Sequence, residues 1–184
     1  MTNEQYLTLK EEYVNHIKTF VTQSGGLLPH LTVFADLKEP KDKEEEKPAI
    51  IHIPIPSEYM EDDDGKDRFI KKVAPDLFKA INKEFIPNSI AWASEAWLRE
   101  ADKDFDIKNE DWKKLPIKKE VIILTIESEN KTEAILFTVK REGKQVNSDG
   151  ELIDNIILTE DENQLGDAAP IGGRFTGLFK KLKG

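Results

Sequence analysis

The sequence predicts an α+β domain: a mixed sheet of five or six strands, two main helices and a C-terminal tail. Three observations lead there. Apolar residues recur at three- and four-residue spacing in two stretches, the period of helices that pack along one face. Other runs alternate with period two or are continuously apolar and β-branched, as strands are. At 184 residues the chain suits one core, so residues 1–159 read as one domain and 160–184 as a tail.

The first helix is marked by Tyr6, Leu9, Tyr13, Ile17, Phe20 and Val21, with Thr2 and Gln5 placed for a capping box and Gly25-Gly26 as a stop. His16 lies beside its apolar stripe. From Leu31 to Leu37 apolar and polar positions alternate as in a strand, and Ala49 to Ile55 reads as its antiparallel partner, ended by Pro54 and Pro56. The mixed-charge run 38–47 between them has almost nothing to bury, so it is expected to be a mobile hairpin tip. A second helix should start near Asp64 to Lys66, with carboxylates at its positive end, and Pro75 should kink or split it.

The stretch Ser89 to Leu98 is the candidate central strand. Trp92 and Trp97 are an odd number of residues apart, so they point to opposite sides and both sides need cover. Glu95 shares the side of Ala91, Ala93 and Trp97. The strand, helix, strand order suggests that the second and third strands are parallel, joined by a right-handed crossover. The charged segment 99–114 is expected to be a long loop with one helical turn near Trp112. Val121 to Ile126 reads as a strand covered on both faces, Ala134 to Val139 as its hairpin partner, and Leu152 to Leu158 as a last strand.

Composition narrows function. With 36 acidic against 27 basic side chains the formal charge is -9, which disfavours nonspecific nucleic-acid binding. The absence of cysteine excludes disulfides, thiolate catalysis and cysteine zinc sites, and fits a cytoplasmic protein. The first twenty residues carry Glu4, Glu11 and Glu12 and do not read as a signal peptide, and no run reaches the roughly 18 apolar residues of a membrane span, so a soluble protein is expected.

No motif with a chemical mechanism survives inspection. The acidic run Glu61 to Gly65 puts Met60 where a calcium loop needs its first Asp, and Gln145 to Ile156 fails likewise. Gly172-Gly173-Arg174 lacks the Lys-Ser/Thr of a phosphate loop. The histidines His16, His30 and His52 fall on different elements without His-x-His or His-Glu-x-x-His spacing, so a metal or general-base role would have to be assembled entirely by the fold. Neither a metal, a cofactor nor a small-molecule ligand is expected from spacing. His52 alternates with Ile51 and Ile53 and could face Glu95 on a neighbouring strand, where a buried pair could transfer protons.

The C-terminal stretch is the sharper signal. Phe175, Leu178, Phe179 and Leu182 have helical spacing with a basic back, so a helix there presents one apolar stripe. Too short to be stable alone, it must fold onto its own sheet, dock on another protein or lie on a membrane surface.

The segment Ser94-Glu95-Ala96-Trp97, a strand after a helix, followed by a charged loop and the strand Lys119-Glu120-Val121-Ile122-Ile123, resembles small uncharacterised proteins encoded by bacteriophages and prophages. The resemblance implies a phage or bacterial setting, in the infected cell or the virion, and brings no active site. The leading expectation is a noncatalytic interaction or assembly component that binds another protein or its own oligomer. It would use its tail (Phe175, Leu178, Phe179, Leu182) or a sheet face (Trp97, Glu95). The alternative is a hydrolase-like enzyme with Glu95 and His52 as acid and base.

Overall fold

The computed structural model describes residues 3–27, 29–39, 48–99, 106, 111, 114–129, 131–160 and 177–183. In chain order the elements are α1 (Asn3–Ser24), β1 (His30–Leu37), β2 (Ala49–Pro54), α2 (Asp63–Arg68), α3 (Ala74–Glu84), β3 (Phe85–Arg99), β4 (Ile117–Ser128), β5 (Thr132–Val146), β6 (Leu152–Glu160) and α4 (Leu178–Lys183). Most of the expected loops at 38–47 and 99–114, including Trp112, lie outside the described residues.

The α+β class stands, but the sheet is antiparallel throughout rather than mixed. Its order is β2-β1-β3-β4-β5-β6, with every neighbouring pair antiparallel. β2 and β3 do run in the same direction, yet β1 lies between them, so they share no ladder. The reason lies in β1. Leu31 to Ala35 are all buried, and a strand covered on both faces belongs inside a sheet. β2 is short, alternates between exposed and covered positions, and ends in proline, which suits an edge.

The two faces of the sheet have separate cores. On one, α1 brings Tyr6, Leu9, Tyr13, Ile17 and Val21 against Phe34, Ala91, Ala93, Ile122, Leu124 and Phe137. On the other, Phe69, Ile70, Phe78 and Ile81 of the α2–α3 segment cover Leu31, Val33, Ile90 and Trp92. The small residues of β3 thus lie under α1 and its large ones under α3. Trp92 is 8% exposed and Trp97, on the opposite side, 57%.

Proline sets the break between α2 and α3. Pro75 has no N–H to bond the carbonyl four residues back. The chain absorbs this as a π-helical turn, Phe69–Val73, in which Ala74 N–H donates to Phe69 C=O, and the α-helix resumes with Pro75 in its first turn. The Asp62 carboxylate accepts from Gly65 N–H at 2.6 Å, which makes the acidic run a helix cap. At the far end of α1, Gly25 has φ +71°, and a Cβ there would come within 2.7 Å of Ile153 Cβ, so the stop also lets helix and sheet approach closely.

The C-terminal helix folds onto its own domain. Leu178, Phe179 and Leu182 are each at most 2% exposed and belong to the α3-side core, whereas Phe175 lies outside the described residues. What fixes α4 is Glu127 on β4, itself 3% exposed. Its carboxylate accepts from Gly177 N–H at 2.6 Å and Phe179 N–H at 3.1 Å, so the buried charge meets two orphan donors of the helix start.

Glu133 plays a comparable part for α1. Its carboxylate accepts from Tyr6 Oη at 2.8 Å, pairs with Lys131 at 3.0 Å and bonds Lys10. Burial pushes its pKa upward, but the hydrogen bonds from Lys10, Tyr6 and Lys131 and the Lys10 charge outweigh it and hold the carboxyl down at about 2.

Two predictions follow from these anchors. Truncation after Thr176 should cost about 4.5–9 kcal/mol, because three side chains leave a core and each is worth about 1.5–3 kcal/mol. Urea denaturation of the truncated chain measures this, and Glu127→Ala in the full chain should lose about 2 kcal/mol. A folded pKa below the ordinary 4.5 stabilises the protein above that pH, and the contribution is lost as pH falls toward 2. Glu133→Gln should therefore lower stability on the order of 1–2 kcal/mol at pH 7 and flatten the acid limb between those values.

Candidate functional site

Two constellations emerge from this frame. The first is built on the parity of β1 and β2. With Leu31 and Val33 in the α3-side core, His30, Thr32 and Phe34 point toward α1. On β2, Ile53 faces the α3 side and His52 the α1 side. The register sets Thr32 opposite His52 and His30 opposite Pro54, so the two histidines are diagonal neighbours. α1 crosses above them with Tyr13 and, one turn on, His16.

All the histidines of the chain therefore meet at one place. The His16 and His52 rings stack with centroids 4.7 Å apart at 19°, and His30 stands edge-on to them at 5.9 and 6.0 Å. One nitrogen from each lies within 4.8 Å of the others. His30 is the most enclosed and His52 the most open. Phe20 closes the group, its ring 5.7 Å from His30.

Two buried hydroxyls hold the rings. Thr32 Oγ1 is 3.0 Å from His52 Nδ1, and Tyr13 Oη is 3.3 Å from His30 Nε2. The two hydroxyls also bond each other. Burial raises the Tyr13 pKa well above that of a free phenol, against the lowering effect of the Thr32 bond, so Tyr13 stays a neutral hydroxyl. His16 and His52 have lowered pKa values, first through burial and then through repulsion from their neighbours in the cluster. Imidazoles gathered in this way can pass protons or hold a transition-metal ion.

The second constellation lies where β3, β4, β5 and β6 run past the end of α1. Leu27 N–H donates to Glu95 Oε1 at 3.3 Å, which ties the chain after α1 to β3. Just beyond is Trp97, opposite Glu120. Glu120 accepts from Arg141 Nε at 3.1 Å, Arg141 reaches Asp154 at 2.9 Å, and Asp154 pairs with Lys144. An exposed tryptophan is thus framed by a ladder of opposite charges.

Glu95 and His52, the expected acid/base pair, are not brought together. β1 separates their strands, and each has another partner, Leu27 N–H for Glu95 and Thr32 with His16 for His52. The sequence reading missed that His16 and His30 are the neighbours of His52, and that Tyr13 and Thr32 support them. Parity along β1 and the hairpin register were the available signals.

No protein-family model matches the chain, and no curated protein or solved structure matches it either. No described helix is long and apolar enough to cross a membrane.

A group whose folded pKa lies below its ordinary value favours the folded state above that value, and the contribution is lost as pH falls. In chelator-treated protein the His16 and His52 ring protons should titrate below pH about 6.5 in NMR spectra. Stability should decline as pH drops below that value. A midpoint above it for either ring would contradict the arrangement.

Proposed function

We propose that the protein is a noncatalytic interaction domain that docks a partner protein on the sheet face around Trp97. One observation carries the reading: Trp97 is 57% exposed, while Trp92 five residues earlier is buried in a core. Tryptophan is among the residue types enriched as anchors in protein interfaces, set among polar groups that form a rim. Glu95, Glu120, Arg141 and Asp154 supply such a rim on the same face.

Charge favours a basic partner. The formal net charge of -9 steers cationic surfaces toward the molecule, and Glu95 stands exposed beside the tryptophan. The other surface expected from the sequence, the C-terminal stripe, has Leu178, Phe179 and Leu182 committed to the domain's own core, which weighs toward the sheet face. The phage or bacterial setting implied by the Ser94 to Trp97 resemblance is where such a partner would act, as an assembly or accessory component.

Immobilised protein exposed to extract of its native cells should retain a basic protein that salt releases, and Trp97→Ser should reduce that retention at least tenfold, a typical loss for a central aromatic anchor. Retention unchanged by Trp97→Ser would overturn the reading. So would sedimentation showing that Trp97 mediates only self-association.

A further inference from the structure

We propose that His16, His30 and His52 together bind one divalent transition-metal ion of the zinc, copper or nickel class, with the three imidazoles as its protein ligands. The inference is independent of the docking face, with which the cluster shares no residue.

Convergence is the first support. The chain has three histidines, on α1, β1 and β2, and the fold gathers all of them with one nitrogen of each inside 4.8 Å. A tetrahedral ion with bonds of about 2.0–2.1 Å needs its ligand nitrogens about 3.4 Å apart, so the rings must close by roughly an ångström and a half. His16 and His52 are the rings that would move, since both are more open than His30.

The supporting groups point the same way. A metal-bound imidazole characteristically uses its second nitrogen in a hydrogen bond that fixes ring and tautomer. Thr32 bonds Nδ1 of His52, and Tyr13 bonds Nε2 of His30. Both hydroxyl residues are buried, at 0% and 2% exposure, so their placement is fixed by the core. Packing alone would be met by any aromatic ring at these positions, but it would not require a hydroxyl on one nitrogen of each.

Donor chemistry selects the ion. The cluster is made of imidazoles alone, which suit zinc, copper and nickel, whereas magnesium and calcium take oxygen ligands. Three protein ligands leave a fourth position, and the exposed flank at His52 admits water there.

The test uses the full chain, stripped with chelator and then titrated with Zn2+ and, separately, Co2+. One equivalent should shift the ring protons of all three histidines together in NMR spectra, and Co2+ should give the visible bands of a four-coordinate site. His52→Asn, at an exposed position where folding is not at stake, should weaken Zn2+ affinity at least tenfold. Thr32→Val should weaken it by roughly 10- to 100-fold, and Thr32→Ser should restore it. Excess Zn2+ that moves fewer than three histidines, affinity unchanged by His52→Asn, or equal binding of Mg2+ would each overturn the proposal.

Discussion

The pairing of β1 with both β2 and β3 is the constraint on which the rest of the structure depends. Thr32 is opposite His52 on one side and Ala91 on the other. That register fixes the direction of every β1 side chain. Leu31, Val33 and Ala35 go to the α3 side, and His30, Thr32 and Phe34 go beneath α1. Had β2 paired directly with β3, β1 would be an edge with its apolar residues exposed, and His52 would be separated from His30.

A sheet covered on both faces needs both covers held, and a buried and a half-buried carboxylate do this at two places. Glu127 holds α4 through backbone donors, and Glu133 holds α1 through Lys10 and Tyr6. A buried carboxylate is costly unless its oxygens are satisfied, so each is tied to the helix that it anchors. The same logic shapes the histidine cluster, where the Tyr13 and Thr32 hydroxyls satisfy ring nitrogens and one another. Trp97 stands outside both cores, past the end of α1, and this is why it remains on the surface.

Much of the fold was legible in local patterns. The stripe from Tyr6 to Val21, the strand from Leu31 to Leu37, the interruption at Pro75 and the opposed tryptophans all appear where local sequence places them. Strand order was not legible, because it follows from which strand can be covered on both faces, a property of the whole sheet. The meaning of the C-terminal stripe was likewise open until Glu127 was seen to face it; nothing near Leu178 in sequence points to a carboxylate on β4. The histidine cluster was hidden for the same reason. Each residue is ordinary in its own element, and the register across a charged connection, with α1 laid over it, brings them together.

The central claim is that β1 separates β2 from β3 and so gathers the histidines. Backbone nuclear Overhauser contacts across the strands test it most directly. The account predicts cross-strand contacts from Thr32 to both His52 and Ala91, and none between the backbones of β2 and β3. Contacts linking His52 directly to β3 in a parallel ladder would contradict it.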